Sequence, residues 1–262
     1  LGPYLADKLK DERRAELEKA YWNGYYQVAG ALYQLDTQTP HQARAIAVRE
    51  LPNLHRALDL ALAAAQANSA LLEQVVTFAD RIAKFLDHFG RWRERDAMMA
   101  EVGERFAVIS NRSRRGEAGD TPPASPKLTK AEYLLHSRQG EALWQQGRAT
   151  QAEVLFRQLL ARLQTGADYD DQAELEYDIA VTQMRLGRCL ADQGRPSQAI
   201  EWSKKSLAGF DALRQSFVEA KTMLTRAYED IGNAHAAVGQ IEEAESAYGQ
   251  GLQIAEEIED YR

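Results

Sequence analysis

The sequence predicts an all-α protein, a solenoid of antiparallel helix pairs, and three observations predict it. Ala, Leu, Gln, Glu and Arg dominate a chain of 262 residues that only 17 Gly and 7 Pro punctuate, a mix that favours helix throughout. Apolar residues recur at three- and four-residue spacing, as in Leu71, Val75, Phe78, Ile82, Phe85 and Leu86. That is the period of one helix face, and no alternating strand pattern stands beside it. The same spaced set of small residues returns three times in the second half, the signature of stacked, repeated units.

Start and stop signals place the elements in order. A first helix over residues 4–36 carries Trp22, Tyr25, Tyr26 and Tyr33, which read as packed aromatic core, with a ligand cage as the rival reading. Thr39-Pro40-His41-Gln42 sets an amide three residues after a capping Thr and opens a helix over 40–50. Pro52 sits where a first turn tolerates a missing amide hydrogen and opens another over 52–67. The apolar stripe fills 70–89, Gly90 ends it, and 91–109 follows. Residues 111–126 (NRSRRGEAGDTPPASP) lack aromatic and branched aliphatic side chains, so 111–129 is expected to be a flexible loop. It reads as an insertion in one continuous array, with a linker between two domains as the alternative. Thr129-Lys130-Ala131-Glu132 is a second capping box and opens 130–146; helices over 149–164, 171–193, 196–211, 216–238 and 241–260 complete the chain, Pro196 starting the fourth of these six. The expected organisation is an N-terminal helical segment over 1–110 with a degenerate first repeat, the loop, and three helix pairs over 130–262.

The repeat is explicit in the residues. Gly140 is followed by Leu143, Gly147, Ala152, Phe156 and Leu159; Leu186-Gly187 by Leu190, Gly194, Ala199 and Leu207; Ile231-Gly232 by His235, Gly239, Ala244, Tyr248 and Leu252. The second Gly and the Ala lie seven and twelve residues after the first Gly each time, and the copies step by 47 and then 45 residues. A Gly or Ala at the first and third positions lets two helices cross closely, and the middle Gly supplies the left-handed residue that ends the first helix. A degenerate copy precedes the loop, with Ala83, Leu86 and Gly90 in place and Arg95 where the Ala belongs.

This pattern resembles the tetratricopeptide repeat, whose small, Gly, Ala and aromatic positions these residues match. The resemblance implies a right-handed superhelical solenoid. The spacing departs from the usual period of about 34 residues, which requires longer helices, and Ser203 stands where an aromatic is expected. Glu50-Leu51-Pro52-Asn53-Leu54-His55-Arg56-Ala57-Leu58, followed after a helix by Phe89-Gly90-Arg91-Trp92-Arg93-Glu94, resembles the start of the C-terminal helical repeat region of STAND-class (NACHT/NB-ARC-like) signalling NTPases. That resemblance covers residues 10–110. It implies a sensor region beside an NTPase module of the same parent chain, and the opening Leu1-Gly2-Pro3 reads as a piece cut from something longer.

Composition narrows the function classes. Lys and Arg number 32 against 39 Asp and Glu, for a net charge of −7, which argues against a duplex nucleic acid as partner because phosphate neutralisation needs clustered positive charge. The clusters Arg91, Arg93, Arg95 and Arg112, Arg114, Arg115 read as solvated faces. The single Cys189 cannot form an internal disulfide and reads as a small buried hydrophobe. No stretch approaches the ~20 apolar residues that span a bilayer, so no membrane partner is expected and the location expected is cytoplasmic. The sequence has no phosphate loop G-x-x-x-x-G-K-[S/T], no H-E-x-x-H and no G-x-S-x-G. The five His (41, 55, 88, 136 and 235) are scattered over separate helices. The chain is therefore read as non-enzymatic, with no catalytic residues, cofactor or metal.

What remains is a surface. Stepping at helical spacing around the small residue of each first helix gives Leu134, Ser137, Glu141, Trp144 and Gln145; then Val181, Met184, Arg188, Ala191 and Asp192; then Arg226, Glu229, Asn233, Ala236 and Ala237. Trp144, Glu141, Met184, Arg188, Arg226, Glu229 and Asn233 form the expected partner-binding groove, because aromatic and Arg side chains dominate binding hot spots. For Trp144, packing against the next helix is the equal alternative. The pairs Ser137/Glu141 and Met184/Arg188 do not offer the Lys/Asn clamp that grips a C-terminal carboxylate. The expected role is a protein or peptide interaction scaffold in signal transduction, a sensor within a larger NTPase. A stand-alone adaptor is the first rival, and a small-molecule sensor or an enzyme with an unrecognised site the second.

Overall fold

In the computed structural model, residues 11–117 and 127–260 are described, and they form ten α-helices, one 3-10 turn and two strands of two residues. The chain divides into two compact units, Leu1–Ala124 and Ser125–Arg262.

The first unit holds α1 (Asp11–Gln38), α2 (Pro40–Ala67), α3 (Leu72–His88) and α4 (Trp92–Glu117). Each packs on the next, and α1 also meets α3. Trp22, Leu32, Leu54, Phe78, Ile82, Phe85 and Leu86 lie in its core. Tyr26 sets its ring edge on Phe78 beneath Arg81, and Lys84 lies 3.8 Å above the ring of Tyr33. The aromatic cluster of α1 is thus core and helix-to-helix contact. Tyr25 donates to Glu50 at 3.0 Å, and burial together with that carboxylate pushes its phenol up to about 12.

The structure corrects three expectations in this unit. The helices read as 40–50 and 52–67 are one, with Pro52 inside it. Ala43, Ala47, Leu51, Leu54, Ala57 and Leu58 bury along one face, and that packing offsets the amide hydrogen bond and ring clearance that an interior Pro forfeits. Thr39 makes no side-chain cap; its backbone carbonyl accepts from Gln42 and Ala43 instead. Helix α4 runs on to Glu117, so 111–117, expected as loop, continue a helix whose Ser113 meets Ser69 at 3.3 Å. Residues 118–126 of that loop, like 4–10 of the first helix, lie outside the described residues.

The second unit is the helical solenoid that the repeat implied: α5 (Lys130–Gln145) pairs with α6 (Ala149–Gly166), α7 (Gln172–Asp192) with α8 (Pro196–Leu213), and α9 (Val218–Ala237) with α10 (Ile241–Asp260). Each helix packs on its successor, and α7 also touches α5 and α9. Gly147, Gly194 and Gly239, with Gly90 in the first unit, have φ of 76°, 72°, 79° and 66°. After each of them the next residue donates its amide to the carbonyl five back: Arg148 to Leu143, Arg195 to Leu190, Gln240 to His235 and Arg91 to Leu86. This closes the last turn and reverses the chain. Thr129 caps α5, accepting from the Glu132 amide at 3.3 Å, and Glu132 is engaged by Arg162 at 2.8 Å. No sequence signal pointed to β1 (Leu128–Thr129) and β2 (Ala167–Asp168), which pair in parallel and seat the fully buried Leu128 against α6.

Candidate functional site

The first helices of the three pairs, α5, α7 and α9, carry the residues read from sequence as a groove. Trp144, near the end of α5, is half-buried and donates its indole Nε1 to Asp192 of α7 at 2.6 Å. One turn earlier, Glu141 accepts from Arg138 on its own helix and from Arg185 of α7, both at 3.2 Å. Arg185 also donates to Ser137 and lies over the ring of Phe156. The same motif continues to the third pair, where Arg188 Nε donates to Asp230 of α9 at 2.8 Å. Burial pushes the Asp230 carboxyl up, and Arg188 works against that push. Arg226, Glu229 and Asn233 are exposed on α9, and Asn233 accepts from the Tyr248 hydroxyl at 2.8 Å.

Glu141, Trp144 and Arg188 therefore come together. With Arg185 and Phe156 they line a small pocket. Met184 does not belong to it: at 2% exposure it packs among Ala180, Val181, Phe210 and Met223. The residue that faces the pocket from that turn is Arg185, one position later. The step Val181, Arg185, Arg188, Asp192 also satisfies helical spacing, and only the neighbouring helices choose between the two stripes.

The face offers an indole ring, two guanidinium groups and three carboxylates within one surface, all hydrogen-bonded between helices. It can present a partly apolar anchor with donors and acceptors around it. Among the described residues no group of three His, Cys, Asp or Glu side chains is placed to hold a metal. His88 bonds Asp36 at 3.1 Å and His235 meets Gln240 at 2.6 Å. Cys189 is fully buried, and burial pushes its thiol up to about 12. Arg95 is buried too, held by Asp87 and Asp96, while Arg91 pairs with Glu94, so the 91–95 cluster, read as a solvated face, is in part a buried ion-pair network. The side chains of Arg114 and Arg115 lie outside the described residues.

Toward the start of α5, away from the pocket residues, sits a network that sequence reading did not find. Asp178, buried in α7, accepts from Lys130 Nζ at 2.6 Å and from the Tyr169 hydroxyl at 2.7 Å. Its backbone carbonyl takes Tyr133 and Thr182. Burial pushes the Asp178 carboxyl up against the pull of Lys130, and burial and Asp178 raise both phenols. The network ties the start of α5 to the first half of α7, the two helices that carry Trp144 and Arg188. Lys130 and Asp178 are 48 residues apart, about one repeat step, but neither belongs to the repeated set of small and apolar residues, so the pattern did not single them out.

Residues 224–259 match the family described as tetratricopeptide repeat. The chain carries that repeat at its third helix pair. The solved structure of BtubC (BKLC) from P. vanneervenii is similar in fold, with a TM-score of 0.50 at 13% identity over 94% of this chain and 93% of that one. A single-residue variant of a putative kinesin light chain with nearly identical TPR-like repeats, from Podosopora anserina, gives a TM-score of 0.47 at 14% identity, over 86% of this chain and 98% of that one. A Rap protein complexed with Competence and Sporulation Factor gives 0.47 at 13% identity, over 94% and 78%. No curated protein matches the chain. No helix among the described residues is long and apolar enough to cross a membrane.

Proposed function

We propose that the chain is a non-catalytic protein-interaction scaffold that holds a peptide segment of its partner across α5, α7 and α9, with Trp144 as the anchor. The observation that carries this reading is the pocket of Glu141, Trp144, Arg185 and Arg188. A half-buried indole, fastened at its N–H edge and ringed by charge, suits a contact that is apolar at its centre and polar at its rim. The resemblance of residues 10–110 supports the finer reading of a sensor region in a signalling NTPase, which a phosphate-binding loop encoded upstream of Leu1 would bear out.

Selection of displayed peptides on the intact chain tests the scaffold. The expected result is enriched peptides whose binding falls at least about tenfold with Trp144→Ala and with Arg188→Glu, a loss of roughly 1.4 kcal/mol. Enriched peptides indifferent to both variants would remove this face as the binding site.

A further inference from the structure

Two arginines of α7 line the pocket beside Trp144, and they are held differently. Arg185 gives both terminal nitrogens to α5, one to the Ser137 hydroxyl and the other to Glu141. Its guanidinium lies over the Phe156 ring. Arg188 gives Nε to Asp230 of α9 at 2.8 Å, and among the described residues no acceptor takes its two terminal nitrogens. The Arg188 side chain is 27% exposed against 15% for Asp230, so the pair is rooted on the Asp230 side and Arg188 reaches from it to the pocket. Arg95 of the first unit shows the same group with both sides filled: Asp96 accepts from Nε at 2.9 Å and Asp87 from the terminal Nη1.

We propose, building on the scaffold reading, that Arg188 is the specificity-determining contact of the site and takes a carboxylate side chain, Asp or Glu, from within the partner's segment. The end of a guanidinium offers two parallel N–H groups that match the two oxygens of a carboxylate. With Nε held by Asp230, that end is oriented before a ligand arrives, so little freedom is lost on binding. Net charge does not choose the ligand, because Arg138, Arg185 and Arg188 balance Glu141, Asp192 and Asp230 around the pocket. The direction of the donors chooses it. A Lys or Arg of the partner would turn instead to Glu141, which two guanidinium groups already engage. Arg188 stands on α7, the middle of the three first helices, so a segment crossing α5, α7 and α9 passes it with chain on both sides. The carboxylate is therefore a side chain and not a C-terminus.

The test selects random peptides on the full chain from two libraries, one displayed between two folded domains so that no peptide end is free, the other with free C-termini. Peptides from the first are resynthesised with both ends capped and titrated by fluorescence anisotropy. An Asp or Glu at one fixed position is expected, and its replacement by Asn or Gln should weaken binding at least about tenfold, or about 1.4 kcal/mol. That replacement is read on the wild-type chain and does not depend on the folding of any variant. In Arg188→Lys, which keeps a charge beside Asp230 but not the paired donors, the same replacement should cost less than about threefold, whereas with Arg226→Gln on the exposed surface of α9 it should keep its full cost. Peptides that lose binding with Trp144→Ala yet carry no fixed acid, carry Lys or Arg in its place, or show an unchanged acid cost in Arg188→Lys would overturn the Arg188 assignment and leave the scaffold in place. So would peptides obtained from the free C-terminal library alone. No selected peptides from either library, or peptides indifferent to both Trp144→Ala and Arg188→Glu, would remove the scaffold reading and the acidic contact with it.

Discussion

A methyl group at Gly140 would lie 2.6 Å from Cζ of Phe156, and one at Gly232 would overlap the ring of Tyr248. At Gly24, in the exposed part of α1, it would meet nothing within 4 Å. Gly140→Ala should therefore cost about 1–3 kcal/mol through overpacking, while Gly24→Ala should stabilise by up to about 1 kcal/mol through helix propensity. Urea melts of the two variants check the opposite signs. Asp36 supplies a second residue-scale test. Burial pushes its carboxyl up, but the hydrogen bond from Arg44 and the charges of Lys84 and His88 outweigh burial and hold it below the usual carboxylate range. A depressed carboxyl contributes stability that is present above the unfolded value of about 3.9 and is lost as pH falls through the folded value. Asp36→Asn should lower stability at neutral pH and flatten the fall below about pH 4. An acid limb as steep as that of the wild type would contradict the assignment.

Pro52 and the Lys130–Asp178 pair act on whole helices. Because α2 passes unbroken through the exposed Pro52, Pro52→Ala restores an amide donor facing the Val48 carbonyl and relieves the ring. An interior Pro costs about 3 kcal/mol, while the freer unfolded chain of the Ala variant returns about 0.4–1. The expected net gain is about 1–3 kcal/mol, read as a higher denaturation midpoint; a lower one would mean that the proline is needed for packing. Removing Lys130 leaves a carboxylate in the core between α5 and α7, and a buried pair broken on one side typically costs about 3–5 kcal/mol. Lys130→Met should destabilise on that scale and the double variant with Asp178→Asn should recover part of the loss. If the double variant fell as far as the sum of the singles, the two groups would not be coupled.

At the scale of the molecule, each unit has its own buried core: Phe78, Ile82, Phe85 and Leu86 in one, Phe156, Leu186 and Phe210 in the other. A unit with a complete core folds alone. Residues 1–124 and 125–262 produced separately should each give helical circular dichroism and a cooperative thermal transition, and a fragment without either would show that its core is incomplete. The boundary falls in the Gly-, Pro- and Ser-rich stretch that the sequence marked as a break.

The glycines show what could be read in advance. Gly90, Gly147, Gly194 and Gly239 were legible as turns, and Gly140, Gly187 and Gly232 as close crossings, because a positive φ or a missing Cβ is a local requirement repeated at a fixed offset. Trp144, Glu141 and Arg188 were legible as neighbours for the same reason, through the repeat step. Met184 and Arg185 were not separable, since both satisfy helical spacing and only the positions of α8 and α9 send one into the core and the other to the pocket. Arg95, Pro52 and Asp178 were misread or missed on the same ground. By itself the sequence determined the helical class, the turns and the repeat, which depend on residues a few positions apart. The tertiary structure alone decided which face of each helix is wet and which charges are paired, because burial and partner are set by side chains some 40 to 50 positions away whose approach depends on how the helices cross.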